Sequence, residues 1–207
     1  LVDLKAYMDL FNNEVNQIRN LLPHGGTVNY YGQIFDQQSP RYYQKLMDSI
    51  QWQPDEIIMF GKLIVTKRKV AWYAEKELDY TYAKKTKKAV LFTPELLEIK
   101  TVVERISNET FNSCLLNLYH DGEEGMGWHT DAEKELKPNG AIASVSFGAV
   151  RKFSFKHKQN NTLVDVLLEN GSLLIMKGTT QHFWKHQIPK TAKPIGERIN
   201  LTFRIIK

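Results

Sequence analysis

The tightest constraint on how this chain can fold is His129-Thr130-Asp131, preceded by Trp128, together with the distant His186 of Trp184-Lys185-His186. Side chains alternate between faces along an extended backbone, so His129 and Asp131, separated by one residue, point to the same side. The stretch between Asp131 and His186 is long enough for several strands to run out and return, as a barrel requires. Two neutral imidazoles and one carboxylate suit a non-haem iron(II) and leave positions open for a co-substrate and O2. A structural zinc prefers a closed four-ligand shell rich in thiolate. The single cysteine, Cys114, excludes a thiolate zinc site.

A second constraint lies in Arg198-Ile199-Asn200-Leu201-Thr202-Phe203-Arg204, which alternates polar and apolar as a strand does. The even spacing puts both arginines on one face. A guanidinium holds a carboxylate through two parallel charge-assisted hydrogen bonds, which lysine does not reproduce. An inward arginine is costly unless it meets an anion. Arg198 and Arg204 are therefore read as anchors for a dicarboxylate, 2-oxoglutarate, beside the iron, with the pairing of arginine to carboxylate left open. Asn117 and Tyr119, also co-facial, add hydrogen bonds to the same co-substrate, and Asn200 and Thr202 share the arginines' face. The competing reading is an exposed edge strand with solvated arginines.

At 207 residues and 42% hydrophobic content the chain is expected to form one domain with a substantial core. No apolar run approaches a membrane span. One cysteine allows no internal disulfide, which fits a reducing compartment, and no signal-peptide order is seen. The expected place is intracellular, cytoplasmic in a bacterium and nuclear in a eukaryote. The net charge of +5 favours an anionic partner. Lys62, Lys67, Arg68 and Lys69 cluster, as do Lys84, Lys85, Lys87 and Lys88, with Phe60, Trp72, Tyr73, Tyr80 and Tyr82 interleaved. Cations for phosphates and flat rings for bases compose a nucleic-acid surface. The alternative is a solvated strand face over a half-buried aromatic one.

Apolar spacing through Leu4, Met8, Phe11, Val15, Ile18 and Leu22 predicts a helix over the first 22 residues. Ser39 as N-cap with Pro40 at the first helical position predicts another to about Ile50. Thr93-Pro94 opens a third, ending near Asn108. Residues 56–60 and 63–73 read as a hairpin around Gly61-Lys62. Six strands follow, at 113–120, 141–148, 151–157, 163–168, 171–176 and 197–206, separated by turn signals such as Pro138-Asn139-Gly140. The expected class is α+β, mainly β: an antiparallel barrel or jelly roll buttressed by N-terminal helices.

From about Ile57 onward the chain resembles the AlkB family of nucleic-acid dealkylating dioxygenases. The resemblance rests on Asn117-Leu118-Tyr119, Trp128-His129-Thr130-Asp131, Ile142 to Gly148, Gly171 to Leu174, His186-Gln187-Ile188-Pro189 and Arg198-x-Asn200-Leu201-Thr202-Phe203-Arg204. It implies a double-stranded β-helix core at about 110–207 and a nucleotide-recognition lid at about 56–92. It selects His186, not His182, as the third iron ligand with His129 and Asp131; His24, His120 and His157 are set aside. It also implies a wedge at Phe60 that fills the gap left by a flipped base, and a lid in which Arg68, Tyr80 and Tyr82 surround the base, with Lys62 beside the wedge.

Two positions depart from the pattern. Ala132 follows the His-x-Asp where duplex-acting relatives tend to carry an acid, with Glu133 as the substitute, and no glycine lies between Tyr73 and Tyr80. The implied activity is demethylation of bases such as 1-methyladenine and 3-methylcytosine in DNA or RNA. It uses Fe(II), 2-oxoglutarate and O2 and releases formaldehyde, succinate and CO2. The implied protein is a monomer on nucleic acid, not on a membrane. Rival readings are a hydroxylase of tRNA or protein, and a binding module that has lost the chemistry.

Overall fold

In the computed structural model, which describes residues 19–59, 62–76, 79–82 and 85–207, the chain runs in order through β1 (Thr27–Gln33), a 3-10 turn (Asp36–Gln38), α1 (Ser39–Ser49), β2 (Gln53–Met59), β3 (Lys62–Ala74), β4 (Asp79–Tyr82), β5 (Lys85–Lys88), β6 (Val90–Leu91), α2 (Pro94–Ser107), β7 (Ser113–Tyr119), β8 (Met126–His129), β9 (Ile142–Gly148), β10 (Arg151–His157), β11 (Leu163–Leu168), β12 (Ser172–Lys177), α3 (Thr180–Phe183), β13 (Trp184–Ile188) and β14 (Arg198–Arg204). The major sheet has the order β1-β12-β9-β14-β7-β3-β2, with β6 parallel to β3. The minor sheet has the order β11-β10-β13-β8, and β4 and β5 pair with each other alone. This is the double-stranded β-helix, mainly antiparallel, with α1 and α2 packed on the outer face of the major sheet.

Alternation along the strands divides the two faces. Ile199, Leu201 and Phe203 of β14 pack under the helices with Leu46, Ile99 and Val103. The intervening Arg198, Asn200, Thr202 and Arg204 point toward the minor sheet. Every residue of β14 is buried, because the strand sits between β9 and β7 in the middle of the sheet. The edge-strand reading of this segment is thereby overturned. Between the sheets Ile142, Phe153, Phe155, Leu174, Trp184 and Ile188 form a second core, so the polar face of β14 abuts apolar packing.

The helix signals hold for α2. The Thr93 side chain accepts from the Leu96 N–H (3.3 Å), and Asn108 closes the helix at φ 54°, a left-handed position that asparagine tolerates. At α1 the N-cap is Gln38, not Ser39. The 3-10 turn feeds directly into the helix, so Ser39 is already helical (φ −54°, ψ −44°) and its hydroxyl donates back to Phe35 O at 2.8 Å. Most of the helix expected over the first 22 residues lies outside the described residues. Its expected last turn is not helical: Asn20 Oδ1 accepts from the Leu22 and Val28 N–H groups at 3.1 and 2.8 Å, folding the chain back onto β1.

The segment expected as a lid is only in part separable from the core. Lys69–Ala74 of β3 is hydrogen-bonded to β7, whereas Lys62–Val65 pairs only with β2 and carries the exposed Leu63, Ile64 and Val65. No helix among the described residues is long and apolar enough to cross a membrane. Because Leu201 is fully buried on the helix-facing side of the central strand, Leu201→Ala should lower the unfolding free energy in a denaturant titration by about 2–5 kcal/mol.

Candidate active site

The metal-ligating groups are placed by strand pairing. His129 ends β8 directly opposite His186 of β13, so both rings fall on the inward face with centroids 4.2 Å apart. Asp131 lies two residues beyond the strand and is tethered by its backbone N–H, which donates to Gln181 Oε1 of α3 at 3.0 Å. The ligand atoms of His129, Asp131 and His186 all lie within 4.8 Å of one another, and no other such group occurs among the described residues. His129 Nε2 is 3.7 Å from Asp131 Oδ1 and His186 Nε2 3.9 Å from Oδ2. Gly127 O lies 2.8 Å from His129 Nδ1. That contact assigns the proton to Nδ1 and leaves the Nε2 lone pair for a metal.

The same cavity, of about 120 Å3, is lined by Asn117, Tyr119, Arg198, Asn200, Thr202, Arg204 and Glu133. It is smaller than the roughly 300–1,000 Å3 pockets that take drug-sized ligands, and it is strongly polar on the β14 side. Arg198 Nη2 donates to Ser146 Oγ (2.9 Å) and Asn200 Oδ1 (2.7 Å), while Asn200 Nδ2 donates to Thr202 Oγ1 (2.8 Å). Ser144 Oγ also donates to Asn200 Oδ1, at 2.8 Å. Asn200 and Thr202 thus orient Arg198. Arg204 Nη2 lies 3.2 Å from Asp131 Oδ1 and its Nη1 3.7 Å from Glu133 Oε1.

These residues sit within a 2OG-Fe(II) oxygenase superfamily model that matches residues 26–204. The chain is 40% identical over 156 residues to human "DNA oxidative demethylase ALKBH2", covering 72% of this chain and 60% of that protein. It is 39% identical over 149 residues to rat "Alpha-ketoglutarate-dependent dioxygenase alkB homolog 3", covering 67% of this chain and 50% of that protein. A third relative, Arabidopsis thaliana ALKBH2, is 32% identical over 213 residues, covering 89% of this chain and 68% of its own. The chain belongs to the AlkB family of 2OG-Fe(II) oxygenases. It spans about 60% of the human relative's length. The solved structure described as "The structure of OsALKBH1" shares the fold at a TM-score of 0.59 and 16% identity, covering 88% of this chain and 99% of that one.

This AlkB-family chain has residues that fit the iron(II) and 2-oxoglutarate of its family. Burial draws the His186 imidazole down to about 3, with Asp131 opposing and His129 and Arg204 adding to the fall. The ring is therefore neutral, as a ligand must be. Burial pushes the Asp131 carboxyl up, but the Arg204 guanidinium and the two imidazoles outweigh it and hold the group below its ordinary value, ionised for a cation. Arg198 is 1% exposed, and its Nε and Nη1 have no hydrogen-bond acceptor among the described residues. A buried cation with two unanswered donors fits an incoming carboxylate.

The other expected residues are placed as follows. Arg68, expected on the lid's basic surface, is buried instead; it pairs with Asp55 and its Nη1 lies 3.5 Å from Met126 Sδ. β3 alternates, so Arg68 points inward with Val70 and Trp72 while Lys67 and Lys69 stay exposed. Phe60 lies outside the described residues, as do the side chains of Lys62, Tyr80 and Tyr82. His182, His24, His120 and His157 lie outside the triad: His182 meets Asn139, His120 meets Glu124, and His24 packs on His157. Sequence reasoning missed Ser144, Ser146 and Gln181, whose hydroxyl and amide groups carry no pattern until pairing brings them to the site.

The low His186 value has a measurable consequence. A folded-state value depressed below the ordinary 6.5 means that the unfolded chain takes up the proton first, so stability rises with pH across that window and falls on acidification. In urea titrations of the metal-free protein from about pH 7 to about pH 5, the wild-type midpoint should drop. The His186→Gln midpoint should drop less.

Proposed function

We propose that this protein removes methyl groups oxidatively from N-alkylated bases such as 1-methyladenine and 3-methylcytosine in DNA. It would consume 2-oxoglutarate and O2 and release formaldehyde, succinate and CO2. The observation that carries the reading is one cavity holding the His129-Asp131-His186 triad beside a buried, anion-deficient Arg198. The similarity to proteins named as DNA oxidative demethylases supplies the substrate class.

In this reading His129, Asp131 and His186 hold the iron, which with 2-oxoglutarate supplies the oxidising power for an unactivated methyl carbon. Arg204, already at 3.2 Å from Asp131, is the guanidinium nearest the metal ligands; it keeps Asp131 ionised and serves the near carboxylate. Arg198, with the Tyr119 hydroxyl and Asn117, takes the far one. Asn117 Oδ1 is buried without a partner among the described residues and faces both this cavity and a neighbouring one of about 390 Å3, with Leu115 and Met126 as the shared wall.

The larger cavity is lined by Val70, Trp72, Tyr73 and Val90, an apolar and aromatic surface on which a flat base is retained. A base that no longer pairs costs less to flip into it. Phe60 would fill the vacated stack, Tyr80 and Tyr82 would close over the base, and Lys62 would meet phosphate. Glu133 would accept from an exocyclic amine. All of these groups come from one chain, so the enzyme works as a monomer; light scattering of the purified protein should return the mass of one chain.

The test is mass analysis of oligonucleotides carrying 3-methylcytosine, single- and double-stranded, with protein loaded anaerobically with Fe(II) and 2-oxoglutarate. Each lesion should lose one methylene in the wild type and none in His186→Ala. Succinate formation without mass loss on either strand would sink the DNA reading and point to RNA or protein substrates. Arg198→Lys keeps the charge but loses the fork. It should raise the KM for 2-oxoglutarate by about tenfold or more, about 1.4 kcal/mol, with the KM for oligonucleotide little changed.

A further inference from the structure

Among the buried cations, Arg151 has no part in the reading above. Arg151 opens β10 and is 3% exposed. By alternation it shares the inward face with Phe153 and Phe155, which pack in the inter-sheet core. Its guanidinium lies 5.7 Å from the centroid of the Tyr119 ring. Arg198 and Arg68 converge on the same ring at 5.5 and 5.8 Å. Cations are attracted to the face of an aromatic ring, but three around one ring also repel one another. Of the three, Arg68 alone has a carboxylate within ion-pair distance among the described residues, that of Asp55.

Arg151 directs its donors to main-chain oxygens. Nη1 reaches Asp121 O at 3.3 Å, and Nη2 reaches Glu124 O at 2.8 Å and Pro189 O at 3.0 Å. Those carbonyls belong to the loop that follows Tyr119 and the loop that follows β13. Carbonyls satisfy these N–H groups and hold the guanidinium in place against the Tyr119 ring.

We propose that Arg151 is a positioning residue for the co-substrate. Seated against Tyr119 and pinning both loops, it fixes the ring so that Tyr119 and Arg198 accept the far carboxylate of a 2-oxo dicarboxylic acid of one length. This rests on the assignment of Arg198 to that carboxylate. Arg151 does not touch the acid; it acts through the ring.

The experiment is calorimetric titration of the full chain, loaded with Mn(II), with 2-oxoglutarate and with 2-oxoadipate, which is one methylene longer. The wild type should prefer 2-oxoglutarate. Arg151→Lys keeps a charge but loses the multi-point fork. It should weaken 2-oxoglutarate binding by about tenfold, about 1.4 kcal/mol, weaken 2-oxoadipate binding less, and leave Mn(II) affinity unchanged. Arg151→Met should narrow the preference further, and if that variant does not fold, the lysine variant decides. A merely structural brace would lower both affinities alike, so a preserved ratio between the two acids in Arg151→Lys overturns the proposal. Failure of the wild type to bind 2-oxoglutarate at all would instead bring down the Arg198 assignment, and the proposal with it.

Discussion

Burying two guanidinium groups between two β-sheets is the constraint from which the rest of the site follows. A charge withdrawn from water costs several kcal/mol unless it is paired and hydrogen-bonded. Arg204 meets that demand inside the protein, through Asp131 and Glu133. The pairing keeps Asp131 ionised within a buried cavity, the state in which a carboxylate binds a cation. Arg198 meets the demand only in part: a hydroxyl and an amide oxygen answer one nitrogen, and the others wait. The asymmetry assigns different work to two residues of the same strand face. One is part of the triad's own electrostatics, and the other keeps donors that the proposed co-substrate would meet.

The triad depends on register to the same degree. Two histidines far apart in sequence face each other because β8 and β13 pair antiparallel with His129 opposite His186. A slip of one residue would turn one ring outward. Register is held from behind, where β13 pairs with β10 along Ser154–His157 and the Phe153 ring stacks on His186 at 5.3 Å and 25°. The apolar core between the sheets therefore does two jobs. It stabilises the minor sheet, and it desolvates His186 so that the imidazole stays neutral.

What could be read from the sequence follows the range over which each signal acts. The caps of α2 are local chemistry between Thr93, Pro94 and Asn108, and they were legible to the residue. The long strands were legible because alternation repeats often enough to count. β8 and β13 are too short and too polar to show a period; they are strands only because they pair. Ser39 was misread as a cap because a preceding 3-10 turn leaves no local trace. The burial of Arg68 was not legible because its partner, Asp55, lies across a hairpin whose register the sequence does not display. The β14 segment shows the deeper ambiguity. Alternating polar and apolar residues look the same whether the polar face meets water or an internal cavity, and only the chemistry of two arginines on one face argued for the second.

The lid and the core are also less separate than a division of the chain would imply. β3 is one strand, yet its first part pairs only with β2 and exposes Leu63, Ile64 and Val65, while its last part is stitched into the major sheet by β7. A continuous strand transmits position along its length better than a loop does. The Asp55–Arg68 pair joins β2 to this strand, and Arg68 reaches the Tyr119 ring. The β2–β3 hairpin is thus tied to β7, the strand that carries Asn117 and Tyr119.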